Sequence, residues 1–146
     1  MVGIALAAAL ALGCGGDDDD GGSYGEPRAP SPGGDTALTV TLDPDGTGSS
    51  TATAEVRCDG AGEPPGACEA LAELPDDAAD PVPQGVACTQ IYGGPDVVTI
   101  EGALLGEEVD AVLTREDGCA IERFERFLPV LEELFEGYRP GRSIGP

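Results

Sequence analysis

The sequence predicts an α+β protein, built as an antiparallel sheet with two short helices packed on it and two disulfides. Four segments alternate apolar with polar residues, which is the period of a strand that buries one face. Two other segments repeat apolar residues at steps of three and four, as helices do. There are five cysteines in 146 residues, and much of the apolar content is small alanine, which indicates a modest core that needs disulfides.

The first two strands are predicted over residues 37–43 and 50–58, where apolar residues alternate with threonine and charged residues. Between them lies Asp-Pro-Asp-Gly-Thr-Gly, a cluster of turn-forming residues, so the pair is predicted to be an antiparallel hairpin. The turn also resembles the start of a calcium-binding EF loop. The twelfth position of that loop is Ala54, where a bidentate Glu is required, so the hairpin is the preferred interpretation.

A helix and two more strands are predicted next. Residues 67–74 form a two-turn helix candidate that a proline ends. Residues 97–105 and 108–115 are predicted strands joined around Gly106, and Gly102 suggests a bulge in the first of them. The residues expected to face inward are Val98, Ile100, Leu104, Val109, Ala111 and Leu113.

A long apolar stripe lies near the C-terminus. Phenylalanine, leucine and tyrosine residues recur at steps of three and four along residues 122–138. Pro129 interrupts this stripe, and proline is tolerated best in the first turn of a helix. We therefore expect a short helix that begins near Pro129 and ends at Gly137. Its apolar face is expected to pack on the sheet, and binding to a partner is the alternative.

The N-terminal residues have the composition of an export signal followed by a linker. An Ala/Leu-rich run, too short to span a bilayer, predicts a secretory signal peptide over residues 1–13. The run ends at Cys14 in a context that resembles a bacterial lipoprotein signal, so we expect a lipid anchor on Cys14, with plain secretion as the alternative. The expected location is extracellular, anchored to the outer face of the bacterial cell membrane.

The remaining composition predicts three further regions. Residues 14–36 are acidic and rich in Gly, Asp and Pro, and are expected to be a disordered linker. Residues 37–138 contain all the predicted strands and helices and form the folded domain. Residues 139–146 are expected to be a flexible tail.

The charge and the missing residue types exclude several functions. The chain carries 28 acidic residues against seven basic ones, all arginine, and its net charge of -21 would repel nucleic acid and anionic membrane surfaces. Histidine and lysine are absent, which removes Ser-His-Asp and Cys-His catalysis, histidine metal sites and Schiff-base chemistry. We therefore expect neither an enzyme nor a bound cofactor or metal, and no membrane contact except through Cys14.

Residues 86–95, Val-Ala-Cys-Thr-Gln-Ile-Tyr-Gly-Gly-Pro, are predicted to be an exposed peptide that a cysteine holds at one end. If Cys14 carries a lipid, four of the five cysteines remain, and an even set in a secreted domain predicts two disulfides. Three pairings are open among Cys58, Cys68, Cys88 and Cys119. A zinc site is the rival interpretation, but Cys88 and Cys119 lack closely spaced partners.

These features resemble the Streptomyces-type subtilisin inhibitor family over residues 37–119. The resemblance rests on the order of the four cysteines, on Pro-Gly-Ala-Cys at 65–68, on Cys-x-x-Ile-Tyr at 88–92 and on Val-Thr-Ile-x-Gly at 98–102. It implies a sheet of about five strands with two helices, and often a homodimer. It also implies the disulfides Cys58–Cys68 and Cys88–Cys119. The reactive bond of such inhibitors lies two residues after the third domain cysteine, which is Gln90–Ile91 here.

The resemblance implies an extracellular serine protease of the subtilisin type as the partner. A protease binds an extended peptide as an added strand, and a disulfide beside the peptide reduces the entropic cost of ordering it. The residues that would contact the protease are Ala87, Cys88, Thr89, Gln90, Ile91, Tyr92 and Gly93.

Two features depart from the family pattern. Gln90 is neutral at a position that is commonly Met, Lys or Arg, which disfavours trypsin-like enzymes. Gly93 and Gly94 stand where the family has one residue before the proline, and two glycines are expected to loosen this side of the loop. The alternative function is a non-inhibitory binding or structural module of the cell envelope on the same scaffold.

Overall fold

The computed structural model describes residues 35–59 and 64–141. These residues form an antiparallel sheet with two helices and two disulfides, so the predicted α+β class is confirmed. The sheet has four strands among the described residues, where about five were expected. In chain order the elements are β1 (Ala37–Asp43), β2 (Ala52–Arg57), α1 (Pro65–Ala72), β3 (Val97–Leu104), β4 (Glu107–Leu113) and α2 (Gly118–Leu134).

The strand order is β2-β1-β3-β4, so β1 and β3 are central. All three pairings are antiparallel and in continuous one-to-one register. Gly102 pairs with Leu38 on one side and with Val109 on the other, so the predicted bulge at Gly102 is wrong. A glycine is needed there for another reason, because its φ is 128° and a Cβ would overlap the carbonyl oxygen of Ala37.

The apolar side chains of the strands meet those of the helices in one core. Leu38, Val40 and Leu42 of β1 are buried, as their alternation with threonine predicts. Phe124 and Phe127 of α2 belong to the same cluster and are almost completely buried. The sheet therefore buries one face against the helices, and α2 connects this core to the loop at residues 86–95.

Helix α2 differs most from the sequence prediction. The predicted helix began near Pro129, whereas α2 begins at Gly118 and continues through Pro129 to Leu134. The side chain of Asp117 caps its N-terminus by accepting a hydrogen bond at 2.9 Å from the N–H of Ala120. An interior proline costs a helix about 3 kcal/mol, but each large apolar side chain that α2 buries contributes about 1.5–3 kcal/mol. Its buried residues are Phe124, Phe127, Val130 and Leu131.

The two disulfides lie near opposite ends of α2. Cys88–Cys119 ties the loop to the first turn of α2, and Cys58–Cys68 ties the end of β2 to α1. Helix α1 meets the C-terminal part of α2, where Gly66 faces the side chain of Glu133. The 17 residues of α2 span about 25 Å, which separates the two crosslinks. Both pairings are those that the family resemblance implies.

Several predictions concern residues at the chain ends. The predicted signal peptide, the lipid anchor at Cys14 and nearly all of the predicted linker lie outside the described residues. Neither described helix combines the length and the apolar composition that spanning a bilayer requires. Packed contacts continue past the predicted domain boundary at residue 138, because the N–H of Gly141 donates to the carboxylate of Asp96.

Candidate functional site

Residues 86–95 contain no helix or strand and lead across the surface into β3. Ile91 and Tyr92 are the most exposed large apolar side chains in the described ranges, with 59% and 68% of their surface accessible. Gln90 beside them is also exposed. Adjacent apolar side chains held in water are typical of surfaces that bind another protein.

The loop is fastened to α2 just before Gln90, at what we call the N-terminal anchor. Cys88 forms its disulfide with Cys119 in the first turn of the helix. The carbonyl oxygen of Thr89 accepts a hydrogen bond at 2.9 Å from the N–H of Gly118. This N–H is one of the groups at a helix start that have no partner within the helix. Thr89 is therefore held both by the disulfide of the preceding residue, Cys88, and by the hydrogen bond of its own carbonyl group.

A second hydrogen bond, the C-terminal anchor, lies three residues after Gln90. The N–H of Gly93 donates to the carbonyl oxygen of Arg115 at 2.7 Å. A Cβ on Gly93 would lie 2.9 Å from two side-chain carbons of Ile121. Gly94 has a φ of 137°, which other residues rarely adopt. The two glycines permit close contacts and a hydrogen bond at this side of the loop, and the loosening expected from their backbone freedom stays a prediction.

Gln90, Ile91 and Tyr92 lie between the two anchors. Among the described residues, no backbone hydrogen bond joins these three to the rest of the chain. The side-chain amide of Gln90 makes only a long contact of 3.4 Å to the carbonyl oxygen of Cys88. The backbone N–H and C=O groups of the tripeptide are therefore available to pair with another protein as an added strand.

The structure brings together every sequence-predicted site residue of the loop. Ala87 and Thr89 are exposed like the tripeptide, whereas Cys88 and Gly93, which carry the anchors, are half-buried. Cys14, the predicted lipid anchor, lies outside the described residues. The anchored residues lie at the two edges of the loop, and the exposed tripeptide lies between them.

Asp96, just after the loop, is a buried carboxylate with 1% of its surface accessible. Its Oδ1 accepts a hydrogen bond of 2.8 Å from the hydroxyl of Tyr138. The N–H of Gly141 contacts both carboxylate oxygens, at 3.1 and 3.0 Å. Nη1 of Arg115 lies 3.9 Å from Oδ2. We call these four residues the Asp96 network, and it fastens the C-terminal segment to the end of the loop.

The hydroxyl of Tyr138 is a hydrogen-bond donor at every pH near neutrality. Burial, and then the hydrogen bond to Asp96, raise the pKa of Tyr138 well above its ordinary value of 10.0. Both effects favour the neutral phenol, because a phenolate would be desolvated and would lie beside another negative charge. The guanidinium of Arg115 opposes them more weakly and also stacks over the ring of Phe124, 5.4 Å from its centroid.

Arg123 of α2 fastens the chain that precedes the loop. Its Nη1 donates to the carbonyl oxygen of Val112 at 2.8 Å, and its Nη2 donates to that of Ala79 at 2.5 Å. Burial lowers the pKa of Arg123, while the charge of Asp80 raises it. One side chain therefore links α2, β4 and the turns at residues 75–85, which positions the approach to the loop.

In the described part of the chain, Cys88, Asp117 and Cys119 bring three potential metal-ligating atoms within 4.8 Å of one another. Both sulfur atoms belong to the disulfide, and metals bind cysteine as the thiolate. The carboxylate of Asp117 caps α2. This cluster therefore supports the helix and the loop, and only its reduced form would offer sulfur ligands.

Sequence reasoning did not single out Asp96, Arg115 or Gly118, and it placed Tyr138 only at the end of an apolar stripe. A sequence signal was present for Gly118. Aspartate favours the N-cap position, so Asp117 indicates a helix that begins at the next residue. No sequence signal pairs Asp96 with Tyr138, which are 42 residues apart.

No protein-family model matches this chain, and a search of the curated proteins finds no match. The site is an exposed tripeptide, Gln90-Ile91-Tyr92, with a covalent and hydrogen-bonded anchor before it and a hydrogen-bonded anchor after it.

Proposed function

We propose that the protein inhibits subtilisin-like serine proteases and presents Gln90–Ile91 as its reactive bond. One observation carries this proposal: the exposed tripeptide is fastened on both sides. Before the bond, the Cys88–Cys119 disulfide and the hydrogen bond from Gly118 to Thr89 hold the chain. After the bond, the hydrogen bond from Gly93 to Arg115 holds it. A passive surface loop needs no such anchors, whereas a peptide that must survive inside a protease does.

The tripeptide and its neighbours would bind in the protease cleft as an extended strand. Gln90 would enter the primary specificity pocket, with Ala87 and Thr89 on one side of the bond and Ile91 and Tyr92 on the other. A neutral amide suits the broad pocket of a subtilisin-like enzyme better than a trypsin-like pocket, whose carboxylate requires a cation. Thr89 keeps its carbonyl hydrogen bond to Gly118, and although its Oγ1 lies against Gly118 the residue as a whole stays exposed beside the bond.

The anchors lower the cost of binding. Fixing the backbone of one residue costs about 1–2 kcal/mol, so restricting three residues from both ends favours the complex by at most roughly 3–6 kcal/mol over a flexible peptide. The exposed side chains of Ile91 and Tyr92 add apolar area that becomes buried against the enzyme.

The same anchors explain why attack by the protease would not release a product. The catalytic serine oxygen bonds to the carbonyl carbon of Gln90, the C–N bond to Ile91 breaks, and the Ile91 nitrogen takes the proton from the general base. The acyl half stays attached to Cys119 through Cys88, and the amine half stays near through Gly93. The Ile91 amine can therefore attack the acyl carbon and give up its proton to the general base, while the bond to the serine oxygen breaks and the serine regains the proton, so the peptide bond reforms before water attacks.

We also propose that the protein acts outside the cell, held there by acyl chains on Cys14. The two disulfides support an oxidising compartment. An inhibitor anchored in this way would protect the cell surface from proteases without entering the bilayer. Mass spectrometry of the protein purified from a bacterial membrane fraction tests the anchor, because lipidation leaves Cys14 as the new N-terminal residue and adds the mass of the acyl chains to it.

Titration of the purified protein against subtilisin, chymotrypsin and trypsin tests the inhibition. We expect near-stoichiometric loss of subtilisin activity and little effect on trypsin. Gln90→Lys should improve trypsin inhibition by about tenfold or more, because a cation then reaches the pocket carboxylate. Gln84→Lys is the matched control, since it makes the same exposed charge change outside the loop. Complete digestion at Gln90–Ile91 without resynthesis would contradict the proposal.

A further inference from the structure

We propose that the Asp96 network positions the Ile91 half of the reactive bond, and that Asp96 and Tyr138 thereby decide whether the loop acts as an inhibitor or as a substrate. This inference rests on the proposed function and assigns a role to a segment, residues 138–141, that lies outside the loop. Asp96 and Tyr138 act through Arg115 and the backbone at Gly93, so they are positioning residues.

Asp96 is buried beneath the C-terminal segment. Its side chain has 0% of its surface accessible, so its charge depends on protein groups for compensation. Those groups are the hydroxyl of Tyr138, the N–H of Gly141 and, at 3.9 Å, the guanidinium of Arg115. Two of the three partners come from the C-terminal segment. The carboxylate thus holds its position only while that segment stays in place.

Arg115 connects Asp96 to the C-terminal anchor. Arg115 contacts this part of the chain twice, because its carbonyl oxygen accepts the N–H of Gly93 and its guanidinium faces Asp96. Only Gly94 and Pro95 separate Gly93 from Asp96 along the chain. A Cβ on Gly94 would lie 2.7 Å from Oδ2 of Asp96, so the carboxylate packs directly against the backbone of the loop. Movement of Asp96 therefore displaces Gly93 and its hydrogen bond.

The two anchors differ in kind. The acyl half of the cleaved bond is held by a disulfide, which does not open without reduction. The amine half contains α2 itself, but the chain from Ile91 reaches α2 only through β3 and β4, so near the cut Ile91 is held by the Gly93–Arg115 hydrogen bond and by the Asp96 network rather than by a crosslink. Resynthesis requires the Ile91 amine to remain within reach of the acyl carbon. The network consequently controls the step that distinguishes an inhibitor from a substrate.

The test uses Tyr138→Phe, which removes only the hydroxyl, and Asp96→Asn, which keeps the shape of the side chain and removes its charge. Each purified full-length variant is incubated with a catalytic amount of subtilisin until the ratio of cleaved to intact protein is constant. We expect this ratio to rise about tenfold in Tyr138→Phe and further in Asp96→Asn, which corresponds to about 1.4 kcal/mol or more. The first-cleavage rate should change much less, because the Gln90 half is unaffected.

Val56→Ala is the matched stability control. Val56 is fully buried in β2, an edge strand of the sheet that lies outside the network. Its truncation should lower the melting temperature at least as much as Tyr138→Phe while leaving the cleaved-to-intact ratio unchanged. An unchanged ratio in Tyr138→Phe, or an equal rise in Val56→Ala, would overturn the inference.

A second measurement separates this inference from the proposed function. Amide hydrogen exchange at Gly93, followed by NMR without any protease, reports the C-terminal anchor directly. We expect exchange at Gly93 to be about tenfold faster in Tyr138→Phe, with exchange at Gly118 unchanged. If the wild type fails to inhibit but Gly93 responds in this way, the proposed function fails and the positioning role stands. If the wild type inhibits and Gly93 does not respond, only the positioning role is refuted.

Discussion

Gly118 donates its backbone N–H to the carbonyl oxygen of Thr89 at 2.9 Å, and the two residues approach so closely that a Cβ on residue 118 would overlap Oγ1 of Thr89. This contact joins the first residue of α2 to the residue before Gln90. Because Gly118 precedes Cys119 in the same helical turn, the hydrogen bond and the disulfide hold the loop at adjacent points.

Gly118→Ala should weaken the N-terminal anchor. The added methyl must displace Thr89, and such overpacking costs about 1–3 kcal/mol. Chemical denaturation should show this loss, and cleavage by subtilisin should accelerate. Gly66→Ala is the control, since Gly66 also lies in a helix but faces the flexible side chain of Glu133. Adding Thr89→Ala to Gly118→Ala should recover much of the stability, and the absence of any recovery would show that the overlap is not the cause.

Removing the two disulfides separately should have different effects on the loop. The chain-entropy relation gives losses of about 3–4 kcal/mol for Cys88→Ala/Cys119→Ala and about 3 kcal/mol for Cys58→Ala/Cys68→Ala, from sequence separations of 31 and 10. Only the first pair releases the acyl half of the proposed reactive bond at Gln90–Ile91. Mass spectrometry after protease treatment should therefore find permanent cleavage at Gln90–Ile91 in the first variant alone, and equal cleavage in both would contradict the assigned anchor.

Leu105→Asn should stabilise the protein by about 1 kcal/mol. Leu105 and Gly106 form the two-residue turn between β3 and β4, with φ values of 52° and 86°, and Leu105 is the sole non-glycine residue with positive φ in the described ranges. Asparagine tolerates this conformation better than leucine. Thermal unfolding measures the change. Val112→Asn is the control, because it also replaces an exposed apolar side chain by an amide, but in a strand, where asparagine is disfavoured; it should lower the stability. A fall in stability for Leu105→Asn would contradict the turn assignment.

The burial of Tyr138 predicts a loss of stability in alkali. The folded-state pKa is raised above the ordinary 10.0, so the stabilisation is complete below pH 10 and is lost as pH rises, because the unfolded chain releases the proton first. The free energy of unfolding should fall by up to about 1.4 kcal/mol per pH unit above pH 10. Urea unfolding between pH 9 and 11.5 measures this slope. Tyr138→Phe should lack it, and an identical slope in both proteins would mean that the phenol ionises freely in the fold.

The strands could be predicted from the sequence because their signal is local. Alternation of apolar and polar residues follows from the two-residue period of a strand, and it located β1, β2, β3 and β4 to within a few residues. The helix α2 could not be placed correctly, since Pro129 is locally unfavourable. Its interior position is acceptable only because the core buries the apolar side chains on both sides of it.

The sequence by itself determined that the domain is an α+β fold with disulfides and that residues 86–95 form a loop that contains Cys88. It also determined where Gln90 and Ile91 lie in that loop. The tertiary structure alone decided what holds the loop: the contact of Thr89 with the start of α2, and the carboxylate of Asp96 beneath Tyr138. Composition and periodicity describe neighbours along the chain. Hydrogen bonds between distant residues form only where packed elements bring the two groups within about 3 Å, and that approach is set by the whole core.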